Sequence, residues 1–223
     1  MFAAAEFSSL CRDAGINPVI GARFRLVSPS VFSDNDPRES IIHLIAETTM
    51  GYHNLMQLST HYFLDTGLDA SASPGLEAPA LTDSLLEIYH EGLIAISCAV
   101  EGDIAQRLLT GSEQDAERRL RVLQEIFGKD HLFLEIQDHG REKEKQLIKS
   151  LGLLSERTAV PLVATNSVHY LYRNEAKVYR VLKRISAVHE EHTEVSSPKK
   201  TFVEAEADEK APSEVSEQLY LKD

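Results

Sequence analysis

The sequence predicts an α/β fold, a largely parallel sheet covered by helices, and three observations carry this. Short apolar runs recur at 41–46, 93–97, 131–136 and 162–164. Each has the length of a strand and is apolar almost throughout, as strands buried on both faces are. Between them lie amphipathic stretches of helical period, at about 50–63, 103–109, 113–127 and 142–157, suited to cover such a sheet. The last run then gives way at once to a polar cluster, Thr165, Asn166, Ser167 and His169. Proteins of this class place their chemistry at the carboxyl ends of strands. Alternation of this kind builds an α/β barrel or an open sheet.

The elements follow in order. Residues 2–14 read as a helix with Phe2, Ala5, Phe7, Leu10 and Cys11 at its apolar positions and Gly15 as its stop. Residues 18–27 read as a strand and 28–40 as a loop. The run at 41–46 is a buried strand, followed by a helix from about Met50 to Phe63. A loop of Gly, Ala, Ser and Pro at 66–80 precedes a helix that Thr82 or Asp83 caps and that reaches His90. Strand 93–97 leads through Cys98 into helices at 103–109 and 113–127. Strand 131–136, helix 142–157, a buried strand at 162–164 and a helix at about 174–188 complete the fold.

Composition sets the limits. The chain has 223 residues, 43% of them hydrophobic, enough to bury one sizeable core. A formal net charge of −12 argues against holding nucleic acid through overall charge. No run of eighteen apolar residues and no basic-then-apolar N-terminus appear, so a soluble, cytoplasmic protein is expected. The two cysteines, Cys11 and Cys98, are far apart and fit free thiols in a reducing compartment. From 189 to 223 ten acidic residues face four lysines, a net −6, and apolar residues are sparse. Such a stretch cannot offset its ordering entropy by burial. The expected organisation is one folded domain at 1–188 and an acidic, disordered tail or linker at 189–223. A short extended piece at Gln218-Leu219-Tyr220-Leu221 is the exception within that tail.

Five segments, in order, carry a more specific signal: AGINPVIGARFRL (14–26), IIHLIAETTMGYHNLMQLS (41–59), EGLIAISCAVEGDIAQRLL (91–109), HLFLEIQDHGREKEK (131–145) and PLVATNSVHYL (161–171). Together the chain resembles the PHP (polymerase and histidinol phosphatase) domain of bacterial DNA polymerase III alpha subunits over about residues 1–185. The resemblance implies a distorted (β/α)7 barrel whose strand ends carry a multi-metal site of His, Asp, Glu and Cys ligands for phosphoester hydrolysis. The family's first strand, with its HxH pair, and the TDH segment have no counterpart in the chain. The barrel is therefore expected to be incomplete, with an unpaired strand near 18–27 or its neighbour.

Residue by residue, the resemblance implies a degenerate site. Arg23 stands where the family has a glutamate, and Ser167 where it has an aspartate; a later family histidine falls at Tyr179. The relic ligands are His43, Cys98 and His169, with His139 and Asn166 behind them. Phosphoester hydrolysis by divalent metals needs several carboxylate or imidazole ligands, and an arginine at the glutamate position repels a cation. No cofactor is expected; the alternative is zinc or manganese at partial occupancy. His43 and His169 are otherwise polar groups at the mouth of the sheet, and Cys98 a small buried residue.

Other motifs have plain structural readings. His53, His61 and His90 read as solvent-facing helical positions. Arg118, Arg119, Arg121 and Lys129 are interleaved with Glu113, Asp115, Glu117 and Glu125 and read as a solvated helix face. Gly51 and Gly102 open helices, but no Gly-rich phosphate loop appears. The expected function is that of a structural or partner-holding module of a replicative polymerase, catalytically inactive. Its partner would be the polymerase core or another replisome subunit, with DNA contacted only indirectly and no membrane. The alternative is a residual metal-dependent phosphoesterase or 3′–5′ exonuclease. Polymerisation by this chain is not expected, since no paired palm aspartates are present.

Overall fold

A computed structural model describes residues 3–28, 38–64, 80–193 and 218–222. Among these residues six strands and seven α-helices follow in order: α1 (Ala4–Asp13), β1 (Gly21–Ser28), β2 (Arg38–Ala46), α2 (Thr49–Leu64), β3 (Leu81–Thr82), α3 (Asp83–Tyr89), β4 (Leu93–Ile96), α4 (Asp103–Leu109), α5 (Glu113–Phe127), β5 (Leu132–Ile136), α6 (Glu142–Thr158), β6 (Leu162–Ala164) and α7 (Ala176–Thr193). The α/β class and most elements match the periodicity; β3 was not expected, and β2 begins at Arg38, inside the loop expected at 28–40. The loops expected at 28–40 and 66–80 lie mostly outside the described residues. No described helix is long and apolar enough to cross a membrane.

The sheet corrects the expected parallel arrangement. Its order is β3-β1-β2-β4-β5-β6. β1 pairs with β2, and β2 with β4, antiparallel, whereas β1 pairs with β3, and β4 with β5, parallel. The first antiparallel pair has a simple cause: nine residues join Ser28 to Arg38, and a parallel return needs a dozen or more. Apolar runs report burial on both faces, not strand direction. β3 and β6 stand at the two edges, and among the described residues no pairing closes one to the other. β6 is not the buried strand expected of Leu162–Ala164, since Leu162 is 39% exposed; an edge strand has a neighbour on one side only. Of β1, only Leu26 and Val27 pair with β3, which leaves the rest of its outer side unpaired by any described strand.

The chain divides into two compact units, Met1–Ile136 with Gln146–Val163, and Gln137–Lys145 with Ala164–Asp223. The first holds the core, where Leu44 of β2, Leu55 and Leu58 of α2, Leu86 of α3, Leu120 of α5 and Leu132 of β5 are fully buried. α2 fits against the start of β4 through two glycines: a Cβ on Gly51 would lie 1.7 Å from the carbonyl oxygen of Gly92. Gly92 itself has φ +71°, a conformation that glycine adopts without strain.

In the second unit α7 extends to Thr193, past the expected limit at 188. It exposes Val178, Val181, Leu182 and Ile185. The segment 218–222 is ordered against residues 166–171: the main chain of His169 donates to the Leu219 carbonyl (2.9 Å), that of Leu221 to the Tyr170 carbonyl (3.1 Å), and Leu219 is buried. The extended piece expected at Leu219–Leu221 therefore pairs with Tyr170. The acidic stretch at 194–217 lies outside the described residues.

Candidate metal centre

His43, Cys98 and Glu135 converge in the first unit, one potential ligand atom from each lying within 4.8 Å of the others. β2 places His43 directly opposite Arg23 of β1 and beside Ile96 of β4. β4 then ends, and the chain turns at Cys98 with φ 52°, a left-handed conformation that is uncommon for a residue with a Cβ. The turn brings the Cys98 sulfur to 3.6 Å from His43 Nε2. Glu135, fully enclosed in β5, receives the Ala99 N–H on Oε2 at 2.7 Å, while its own N–H donates to Ser97 Oγ at 3.1 Å. These two bonds tie the end of β4 to β5 and fix the carboxylate. Gly102 closes the turn; any Cβ there would meet the Ser97 carbonyl oxygen at 1.7 Å.

Charge around the centre is unusual. Burial lowers the pKa of His43; Glu135 opposes this, Arg23 adds to it and Glu101 opposes it. Neutral imidazole, the form that ligates metal, is thus favoured at neutral pH. Burial pushes the Cys98 thiol well above its ordinary range, with the carboxylates of Glu135 and Glu101 next in effect. Without a bound cation the sulfur is a protonated thiol. Folded protein at pH 8 should therefore leave Cys98 unmodified by iodoacetamide over hours, while urea-unfolded chain reacts in minutes; mass spectrometry of the Cys98 peptide measures this, and equal rates would refute it. Outside the three donors, Arg23 pairs with Glu101, and Glu101 Oε2 lies 3.9 Å from the Cys98 sulfur.

The donors fit one zinc-type ion in kind, as imidazole, thiol and carboxylate are all zinc ligands. They do not supply the several carboxylates that bridge a multi-metal site. Of the residues singled out from the sequence, the structure brings His43 and Cys98 together, and it places beside them Glu135, which sequence reasoning did not single out. The signal was present: Glu135 is the one charged residue in the otherwise apolar run Leu132–Ile136.

The other expected residues lie in the second unit. The His169 ring stacks on Tyr179 (centroids 4.9 Å apart), and its Nε2 is 3.2 Å from Ser167 Oγ. His139 is buried, with Nδ1 at 2.8 Å from Glu144 Oε1 and Nε2 at 3.0 Å from Asn166 Oδ1. Asn166 Nδ2 donates to the Tyr220 carbonyl at 2.8 Å, which orients the amide and leaves its oxygen for His139. His139 and Asn166 thus form one hydrogen-bonded chain that ends on the segment 218–222.

The histidines read as solvent-facing divide. His53 is exposed, but His61 and His90 are half-buried, bonded to Tyr89 Oη (3.1 Å) and the Glu87 carbonyl (2.9 Å). The arginine cluster also divides: Arg118 and Arg121 are exposed, whereas Arg119 is buried among aspartates.

Residues 1–139 match the PHP domain family. The chain is 34% identical over 186 residues to a DNA polymerase III subunit alpha of Treponema pallidum (strain Nichols), covering 82% of this chain and 15% of that protein. It is 32% identical over 190 residues to the DNA polymerase III subunit alpha of Bacillus subtilis (strain 168), with 84% and 15% covered. A Chlamydia trachomatis DNA polymerase III subunit alpha aligns over 97% of this chain and 19% of its own length at 29% identity. The chain spans about a sixth or less of the length of its first relatives. With the family matched over more than half of its residues, the chain belongs to the PHP domain family.

Proposed function

We propose that this chain is the PHP part of a bacterial replicative DNA polymerase III alpha subunit, acting in DNA replication as a structural or partner-holding module without hydrolytic chemistry of its own. One observation carries the reading: the chain aligns over more than four-fifths of its residues with the alpha subunits, yet at its centre a positive guanidinium, Arg23, faces His43 across the β1–β2 ladder. The fold is read as an incomplete (β/α)7-type barrel, left open between β3 and β6. Its partner is the polymerase core or another replisome subunit, DNA is contacted indirectly, and the compartment is the cytoplasm. If a metal binds, His43, Cys98 and Glu135 would hold it; His169, with His139 and Asn166, remains a relic ligand on the family resemblance alone. Bound there, an ion would supply Lewis-acid polarisation of a phosphoester or activation of a water.

Purified protein should contain less than one zinc or manganese per chain and cleave neither single-stranded DNA nor a nitrophenyl phosphate above background. Adding a polymerase-core fragment in trans should raise its melting temperature. The second reading, a residual phosphoesterase or 3′–5′ exonuclease, draws on Glu135 standing beside His43 and Cys98. Stoichiometric metal, with hydrolysis that disappears in Glu135→Gln and His169→Ala, would establish that reading over the first.

A further inference from the structure

We infer that Arg23 and Glu101 form a lock on the His43–Cys98–Glu135 centre, in which Glu101 is the fourth donor for a divalent metal and Arg23 withholds it. The inference rests on the reading of the centre as idle and supplies a cause for it.

Three donors leave a tetrahedral ion one ligand short. Among the described residues the candidate is Glu101. Its Oε2 approaches the Cys98 sulfur to 3.9 Å, three residues on from Cys98. That same oxygen accepts the hydrogen bond from Arg23 Nη2. A carboxylate oxygen committed to a guanidinium must break that bond before it can ligate. The guanidinium cannot be neutralised by losing a proton, so it also opposes the arrival of a dication.

The position of Arg23 makes the test clean. Its side chain is 51% exposed, and that of Glu101 is 36% exposed. Exposed pairs contribute little to stability, so Arg23→Gln should fold like the native chain. Glutamine is neutral, and it releases Glu101. Arg23→Lys keeps the charge and serves as the conservative control.

The experiment titrates Co2+ and Zn2+ into the full native chain, Arg23→Gln, Arg23→Lys and the double variant Arg23→Gln/Glu101→Gln. Dissociation constants come from competition with a chromophoric chelator, and the thiolate-to-cobalt charge-transfer band reports whether Cys98 is a ligand. Arg23→Gln should bind at least about tenfold more tightly than the native chain, a factor worth about 1.4 kcal/mol, and develop the thiolate band. Arg23→Lys should remain native-like, and the double variant should lose most of the gain. Arg23→Gln within twofold of native overturns the lock, as does a double variant that keeps the whole gain, because Glu101 would then not be a ligand. The two readings fail differently. Tight stoichiometric binding by the native chain ends both, whereas native and Arg23→Gln chains equally free of metal end the lock alone.

Discussion

Replacing Arg107 with alanine should lower the unfolding free energy by about 3–5 kcal/mol, the cost of removing one partner from a buried ion pair. Arg107 is 1% exposed. It donates from Nε to Asp103 (2.7 Å), from Nη1 to Asp115 and from Nη2 to Ser28 Oγ (3.1 Å). Arg119 bonds the other Asp103 oxygen at 2.6 Å and both oxygens of Asp83. Through these side chains β1, α3, α4 and α5 share one network. Among the described residues Arg107 is the one side chain bonded to Asp115, whose Oδ1 is buried without a hydrogen-bond partner. Alanine at 107 would leave its carboxylate enclosed and uncompensated, whereas Asp103 would keep Arg119. The measurement is the urea midpoint at neutral pH. A loss below about 1 kcal/mol, the range of an exposed pair, would mean that water reaches the cluster.

Gly51→Ala should be the next most damaging single change, although alanine is the better helix former by about 1 kcal/mol. Gly51 lies in the first turn of α2, where its N–H donates to Thr48 Oγ1 at 3.0 Å. The new methyl would overlap the Gly92 carbonyl, which is itself fixed by the main-chain N–H of Glu47 at 3.0 Å. Backbone cannot rotate aside as a side chain can. The overlap resolves only by lifting α2 from the start of β4, and overpacking of this kind costs about 1–3 kcal/mol and on occasion more. The steric term therefore wins over helix propensity, and the melting temperature should fall by several degrees. A rise would show that α2 shifts freely.

The elements were legible because their signals are local. Thr82 caps α3, accepting the Leu85 N–H at 3.4 Å, and the apolar spacing of 113–127 returns as α5. Strand direction was not legible, since Ile41–Ala46 reads equally apolar in either orientation. The edge position of Leu162–Ala164 was likewise hidden, because which strand lies outermost depends on pairings distant in sequence. At the centre, residue type alone marked His43 and Cys98, but Glu135 needed the β4–β5 register to reach them. Arg119 was misread as surface for a similar reason: its partners Asp83 and Asp103 lie 36 and 16 residues away, far beyond the spacing of one helix face.

The left-handed turn at Cys98 has a bearing on how such a centre would be lost over generations. A side chain in that conformation costs about 1–2 kcal/mol, which glycine would recover. Glycine in turn gives the unfolded chain more freedom, worth roughly 0.5–1 kcal/mol, and vacates the small space of the thiol. The terms nearly cancel. Cys98→Gly is therefore a step that selection for stability would scarcely see, unlike any change at Arg107 or Gly51. In a lineage that gained nothing from the thiol, glycine could become fixed at position 98 by drift, long before the surrounding strands changed. Sequenced relatives would record that event at one codon, and a cysteine kept there across deep divergence would mean the sulfur is still in use.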